Sequence, residues 1–475
     1  MLKEALIAKF QPDEDLKIRT LYAGRRKLTL LFLDGMSGGD RIAETVLQPL
    51  LLLKTKIRSL EGLKRCFLYT AEAKVKTDVG ELAADLLNGH SVLFAEGFLG
   101  AIDLDTRMMP ERAVAEPPTG GVNKGPREGF VENVKTNLSL LRRRLKTENF
   151  RIRTLNVGRY TSTKVAVCYL NGIADQKVVR QVLKSLKRID IDGILDSSYL
   201  ASFLDGKRTT LFKLVGSTEK PDIAAAKMLE GRVCILADGS PIALTVPYLF
   251  VEDLQAPDDY YDTPATATVA RLLRALAVTA SVLLPGLFVS LQMYNYQIIP
   301  TKFLITIMNA TSGLPFTPIL EMVIMLILFD ILREASARMP QFAGVSLSIV
   351  GAIVLGDAAV KAGLLGAPSV MIGALSGIGL YTLPDNTLLM SLLRLIYTVL
   401  GGIMGVYGIL IGSLFLISFV VSLGRYGSPY LAPFTPSLPR DKEDAVLKRQ
   451  LLKLTHRPKS IRHENDTRLS YHDEN

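Results

Sequence analysis

The hydrophobic pattern of this 475-residue chain changes character near its middle. From Met1 to about Arg274 charged residues recur every few positions. From Ala275 to Gly424 they nearly vanish, and they return in the tail. Short apolar runs in the first part predict strands, and they recur as a repeat. Gly89-HSVLFAE-Gly97-FLGAIDL matches Gly231-RVCILAD-Gly239-SPIALTV in pattern: a glycine, an apolar run, an acidic-Gly pair, then a second apolar run. This predicts two hairpins, because glycine adopts the positive φ of the turn without strain. Upstream, Phe32-Leu33-Asp34-Gly35 resembles Tyr169-Leu170-Asn171-Gly172, and each is followed by Asp40 or Asp175 and a helical pattern. Both pairs of landmarks lie about 140 residues apart, as a duplicated module requires. The fold class expected is an α/β N-terminal region of two related subdomains, then an all-α polytopic transmembrane domain.

The expected boundaries are a lead over 1–20, a first α/β subdomain over 20–115, a connector with a linking helix over 116–149, and a second subdomain over 150–255. A transmembrane bundle over 264–424 and a basic tail over 425–475 complete the chain. In the connector, Gly120-Gly121 and Gly125-Pro126 mark turns, and Glu128 to Lys146 has helical periodicity. Its Arg142-Arg143-Arg144 run suits a solvated helix C-terminus, where cations meet the negative end of the macrodipole. A docking surface for a partner or a lipid headgroup is the alternative.

Stretches such as Ala275–Thr301 and Leu395–Gly424 carry no Asp, Glu, Lys or Arg. Roughly 20 apolar residues cross a bilayer, so the second half is read as membrane-embedded. Ala275–Gln297 is the clearest first span, with Pro285-Gly286 inviting a kink. Pro315 and Pro318 flank a break before a helix carrying Glu321. Phe342–Val360 and Leu364–Thr382 read as short Gly-rich pieces, and Gly401–Leu423 closes the series. Positive residues precede the first span and follow the last; the tail from Gly424 holds ten Lys/Arg against seven Asp/Glu. Both termini on the cytoplasmic side imply an even number of crossings. Four full spans with one or two re-entrant pieces fit that pattern.

A charge at membrane depth costs roughly 2.5–3.5 kcal/mol on insertion scales, so each requires a reason. Glu321 is expected either to line a polar cavity or pore, or to meet a structural partner such as Arg394. Asp357 and Lys361, four apart, pair with each other or line a permeation path. Asp330, Arg333, Glu334 and Arg338 are expected at the cytoplasmic interface, paired and solvated. Gly401, Gly402, Gly405, Gly408 and Gly412 give close helix packing, within one subunit or between copies.

Composition narrows the chemistry. Mean hydropathy is +0.26 and formal net charge +10, spread widely without aromatic-interleaved basic motifs. The charge is read as positive-inside flanking and attraction to anionic lipid, with no nucleic-acid partner. The three cysteines, Cys66, Cys168 and Cys234, form no CxxC pair; Cys168 and Cys234, within apolar strand-like runs, are read as buried small hydrophobes in a reducing compartment. The N-terminus shows no secretory h-region, so the first half is expected to stay in the cytoplasm. No GxGxxG, Walker A, HExxH or GxSxG motif is present, and three of the four histidines are in the tail; His90 stands alone at a strand start. Gly35-MSGGD-Arg41 and Gly120-GVNK-Gly125 are turns, or weak phosphate cradles. No enzyme activity, cofactor or metal is expected.

The ordered motifs identify a resemblance. Leu33-Asp-Gly-Met, Ala101-Ile-Asp-Leu-Asp-Thr-Arg107, Arg112-Ala-Val-Ala-Glu-Pro117, Gly125-Pro-Arg-Glu-Gly-Phe130, Glu132-Asn133, Asn137 and Arg142-Arg-Arg144 carry it in the first half. Pro221-Asp222, Glu230-Gly-Arg232, Asp238-Gly239, Asp258-Asp-Tyr-Tyr261, Glu321, Arg333-Glu-Ala335, Arg338-Met-Pro340, Gly344 and Ser428-Pro-Tyr-Leu-Ala-Pro433 follow. Together, from about Thr29 to Thr435, the chain resembles the A subunit of GerA-type spore germinant receptors. One departure is Lys220, where the family usually has Arg before Pro-Asp; it touches only a local surface contact.

The resemblance implies a multi-pass protein of the spore inner membrane that senses nutrients with a transporter-like B subunit and a lipoprotein C subunit. It further implies a homo-oligomeric, ligand-gated ion channel whose opening releases cations, with the nutrient pocket in the B subunit. Candidate pore or gating residues are then Glu321, Asp357, Lys361 and Arg394. Candidate residues coupling the soluble half to the membrane are Arg127, Glu128, Asn137, Arg142, Arg333, Glu334 and Arg338. A non-conducting scaffold or a secondary transporter are the alternatives, although no inverted repeat is visible in the membrane half.

Overall fold

A computed structural model describes residues 2–10, 13–23, 26–53, 57–68, 72–107, 124–206, 210–338 and 356–469. The chain forms two compact units. One comprises Met1–Tyr248 with Gly424–Ser428 and Gln450–Asn475; the other comprises Leu249–Leu423 with Pro429–Arg449.

The first unit contains two five-stranded antiparallel sheets built in the same way. Strands β1 (Leu16–Ala23), β2 (Arg26–Leu33), β3 (Ala73–Lys76), β4 (Ser91–Ala95) and β5 (Ala101–Leu104) take the order β1-β2-β4-β5-β3. Strands β6 (Phe150–Val157), β7 (Thr163–Leu170), β8 (Gly216–Thr218), β9 (Val233–Ala237) and β10 (Ala243–Val246) take the order β6-β7-β9-β10-β8. The repeated motifs form the β4–β5 and β9–β10 hairpins, with Gly97 at φ 84° and Gly239 at φ 84° in the turns. The inner strands β4, β5, β9 and β10 are buried on both faces, which explains their nearly continuous apolar sequences. Leu28, Leu30 and Leu93 pack on one face and Leu31, Leu33 and Val92 on the other, following the period-2 alternation of strand side chains.

The helical patterns after β2 and β7 also form. Residues Gly39–Leu51 are helical with one π turn, and Gln176–Lys187 is capped by Asp175 Oδ1, which accepts from Lys177 N at 2.7 Å. Cys168 and Cys234 are register partners on β7 and β9, fully buried. Burial pushes both thiols up, Cys234 to about 12, so they act as small hydrophobes, as expected. The side chain of Cys66 lies outside the described residues.

The free edge of β6 is capped by the chain just before β1. Asp13 Oδ1 accepts from Ile152 N at 3.1 Å and Glu14 Oε2 from Thr154 N at 2.9 Å. Carboxylates satisfy donors that an exposed edge strand would otherwise leave open.

The second unit is helical. Pro264–Met293 and Pro384–Val421 are long and apolar enough to cross a bilayer, at mean hydropathy 2.0 and 2.3. The first begins eleven residues before the predicted span, because Thr263 caps it and Pro264 opens it at a position needing no N–H. Between them come Thr301–Thr311, Pro318–Ala337 and Ala367–Leu380. Most of the expected Phe342–Val360 segment, with Gly344 and Pro340, lies outside the described residues, as does Arg112–Pro117. Gly401–Leu423 is not a separate span. It continues the helix from Thr387, with a break at Gly405, whose φ of 65° is left-handed.

Candidate functional site

Arg394 lies on the apolar helix Thr387–Val421 and is 1% exposed. Its guanidinium donates to Asp330 Oδ1 at 2.9 Å and to Ser376 Oγ at 3.2 Å. Ser376 Oγ donates to the Ser281 carbonyl at 2.6 Å, and Ser391 Oγ donates to Asp330 Oδ2. Arg333 adds a second cation 3.3 Å from Asp330. One polar cluster thus ties together Pro264–Met293, Pro318–Ala337, Ala367–Leu380 and Thr387–Val421. A buried ion pair of this kind holds only with its hydrogen bonds made, because each ion has lost its water.

Two expectations are corrected here. Arg394 is not the partner of Glu321. Asp330 is not merely a solvated interface residue, since its carboxylate turns inward. Glu321, 1% exposed, accepts from the Gly366 backbone N–H at 2.7 Å. Gly366 is the N-cap of Ala367–Leu380, so the carboxylate sits at the positive end of that helix dipole. Asp357 and Lys361 pair at 2.7 Å with both side chains more than half exposed. The four candidate pore residues are therefore not brought together.

Close helix approach accompanies the cluster. A Cβ on Gly401 would lie 2.4 Å from the Gly286 carbonyl oxygen, and one on Gly286 would lie 2.5 Å from the Tyr397 carbonyl. Pro285-Gly286 and Gly401 let these two backbones nearly touch.

The coupling candidates divide. Arg142, read as part of a solvated helix end, is 1% exposed. It donates to Asp15 Oδ2 at 2.5 Å and Asp13 Oδ2 at 3.2 Å and stacks 4.8 Å from the Phe150 ring. Arg151 backs Asp13 at 3.6 Å and donates to the Phe10 carbonyl at 2.6 Å. Burial holds the Asp13 carboxyl up at about 6 despite Arg142, with Asp15 adding repulsion. Arg143 and Arg144 both grip Glu128. Burial pushes that carboxyl up, but the two guanidiniums outweigh it and the net shift is downward. Asn137 closes its own loop through both polar atoms of Val131, and Arg127 lies on the surface. Arg333 turns to Asp330, and Arg338 pairs with Glu334 at 2.5 Å, four residues apart.

The linking helix Val134–Arg144 bridges the two sheets. Ser139 Oγ donates to the Gly35 carbonyl at 2.6 Å on one side, and Asp238 Oδ1 accepts from Val134 N at 3.0 Å on the other. Lys220 belongs to this connection. It is buried, with Nζ donating to the Pro126 carbonyl at 2.7 Å, so the Lys-for-Arg departure is not a surface contact.

Two clusters escaped the sequence reading. Arg271, fully buried, meets Asp259 Oδ2 at 3.1 Å and Asp444 Oδ1 at 3.2 Å, with Arg274 on the same Asp259 carboxylate and Lys448 Nζ donating to the Asp259 backbone carbonyl. The signal was present in Asp258-Asp-Tyr-Tyr261, but its counterions lie far along the chain. His90 Nδ1 lies 2.8 Å from Asp103 Oδ1, beside Asp85. Lys76 Nζ reaches Asp85 at 2.7 Å and Asp103 at 4.0 Å; its ammonium supplies there the charge that a metal would. The Asp103 hydrogen bond raises the His90 pKa against burial.

Residues 4–460 match the family profile described as Bacillus/Clostridium GerA spore germination protein. The chain is 32% identical over 463 residues to Spore germination protein KA of Bacillus subtilis (strain 168), covering 96% of this chain and 85% of that protein. It is 31% identical over 452 residues to Spore germination protein B1 of the same organism, covering 94% and 93%. The Uncharacterized membrane protein YfkQ is 33% identical over 432 residues, covering 90% and 84%. Among solved structures, the N-terminal domain of the A subunit of the Bacillus megaterium spore germinant receptor GerK3 matches at 26% identity and a TM-score of 0.39. That match covers 52% of this chain and 94% of that one.

Proposed function

Since the chain belongs to the Bacillus/Clostridium GerA spore germination protein family, we propose that it is the A subunit of a nutrient germinant receptor in the spore inner membrane. In this reading it works beside a transporter-like B subunit and a lipoprotein C subunit. Its helical unit assembles with further copies into a cation-conducting channel that opens on germinant binding. The two α/β sheets arose by duplication and form its cytoplasmic, sensory or assembly part.

The observation that carries the channel reading is the Arg394–Asp330–Ser376–Ser391 cluster. A charged network joining four apolar helices, one of which is broken further along at the left-handed Gly405, can hold one packing and release another. Exposed apolar side chains on the last helix, such as Leu414 and Phe415 at 68% and 74%, require lipid or neighbouring subunits. Chain connectivity supports an even number of crossings. Arg425 and Tyr426, just after the last helix, donate to the Leu204 carbonyl of the first unit at 2.6 and 3.0 Å. A folded polar unit containing both flanks of residues 249–423 occupies one side of a membrane.

The test is cation release from spores that carry this receptor as their sole germinant receptor, with Asp330→Asn and Glu321→Ala compared with wild type and abundance checked by blotting. Lost or constitutive release at normal abundance is the expected result. Unchanged release and germination in both variants would defeat the channel reading and leave a scaffold.

A further inference from the structure

The two repeated sheets are finished differently. In the first, the chain leaving β5 turns back over the bend after β2. Ser37 and Arg107 form an antiparallel bridge, and Gly38 N donates to the Thr106 carbonyl at 2.9 Å. Gly89 lies against this turn; a Cβ there would be 2.8 Å from the Met36 carbonyl oxygen and 3.2 Å from the Arg107 side chain. By the repeat, the counterparts of Met36, Ser37 and Gly89 are Ile173, Ala174 and Gly231.

In the second sheet the chain leaving β10 does not return. It runs on through Phe250–Leu254 to Pro264–Met293. The equivalent contacts come instead from the C-terminal tail. Ala174 forms its antiparallel bridge with His463, and Glu464 N donates to the Ile173 carbonyl at 2.8 Å. A Cβ on Gly231 would lie 3.0 Å from the His463 Cβ. Two charged anchors flank the bridge. Glu464 Oε1 accepts from Gln176 N at 3.4 Å, at the start of Gln176–Lys187. Arg457 Nε donates to the Leu229 carbonyl at 2.7 Å. Between them Ile461 is 1% exposed, and a His456–Thr467 bridge closes the tail on itself.

We propose that the bend at Ile173–Gln176 and the turn at Leu229–Gly231 form a peptide-binding slot, and that its occupant is this chain's own tail, residues 456–467. The tail supplies the edge segment that Thr106 and Arg107 supply in the first sheet. Main-chain pairing gives the slot its affinity; the carboxylate at the helix N-terminus and the guanidinium on the Leu229 carbonyl fix the register. This assignment is independent of whether the helices conduct ions.

The experiment uses the full-length chain in detergent, with a protease site inserted at Leu451-Leu452, which are 67% and 60% exposed, and a tag after Asn475. After cleavage the tagged tail is expected to co-elute with the body and to be displaced by a synthetic peptide of residues 455–469. A labelled copy of that peptide should bind the cleaved protein and not the uncut one. Peptides carrying Glu464→Gln or Arg457→Ala should bind at least roughly tenfold more weakly, since each loses a charge-assisted hydrogen bond. The proposal is overturned if the tail separates on cleavage and the peptide does not rebind. Equal binding to cut and uncut protein, or undiminished binding of the variant peptides, would overturn it as well.

Discussion

Asp330→Asn should destabilise the helical unit by leaving Arg394 charged and nearly solvent-free. Removing one partner from a fully buried ion pair costs about 3–5 kcal/mol, whereas an exposed pair is worth only about 0.2–1 kcal/mol. Arg394 is 1% exposed and the Asp330 side chain 31%, so an intermediate loss of about 2–4 kcal/mol follows. The Asn amide oxygen still accepts one hydrogen bond but offers no charge. Adding Arg394→Met removes the stranded cation and fills similar volume with an apolar chain. The double variant should therefore be more stable than Asp330→Asn alone, with a coupling energy of about 1–3 kcal/mol in the cycle. Unfolding of the purified protein in mixed micelles, following helicity against the mole fraction of denaturing detergent, measures all four members. Strict additivity, or an Asp330→Asn loss below about 0.5 kcal/mol, would refute the pairing as a source of stability.

Three further outcomes are expected. Gly401→Ala places a Cβ 2.4 Å from the Gly286 carbonyl oxygen and should cost about 1–3 kcal/mol by forcing the helices apart; the same micelle titration reads it, and Gly377→Ala, with open space around it, is the control. Arg142→Met leaves Asp13 and Asp15 without their main counterion and should cost about 3–5 kcal/mol, read as an earlier thermal transition of the N-terminal unit. The His90 pKa is raised in the folded state, so its pairing with Asp103 stabilises fully below the unfolded value of about 6.5 and is lost as pH rises through the folded value. His90→Gln should therefore destabilise the protein more at pH 6 than at pH 8.5, and an equal loss at both would contradict the ion pair.

The features legible in the sequence were those encoded within a few residues. Gly97 and Gly239 announced hairpins because their φ is positive, Asp175 announced a helix start, and the spacing of both pairs announced the repeat. Cys168 and Cys234 read as core because apolar residues surround them locally. The candidate site was less legible, since its pairings are distant. Arg394 finds its carboxylate 64 positions away, on a helix whose other charges suggested an interface. Arg142 looked solvated beside Arg143 and Arg144, and its counterions lie 127 and 129 positions upstream. Lys220 looked superficial for the same reason. Sequence spacing shows that a buried charge needs a partner, but only tertiary packing selects which one.

The capped edge of β6 also bears on the order of synthesis. Asp13 and Glu14 are made early, yet the amides they cap belong to residues 139 and 140 positions later. At about 5–20 residues per second, translation takes roughly 7–28 s to reach them. Gln176 waits for Glu464, 288 positions on, after every apolar helix has left the ribosome. The N-terminal unit thus begins first and closes last, after the long apolar helices Pro264–Met293 and Thr387–Val421 have been made. Nascent chains stalled before residue 457 should carry the first sheet in protease-resistant form while the second remains open to cleavage.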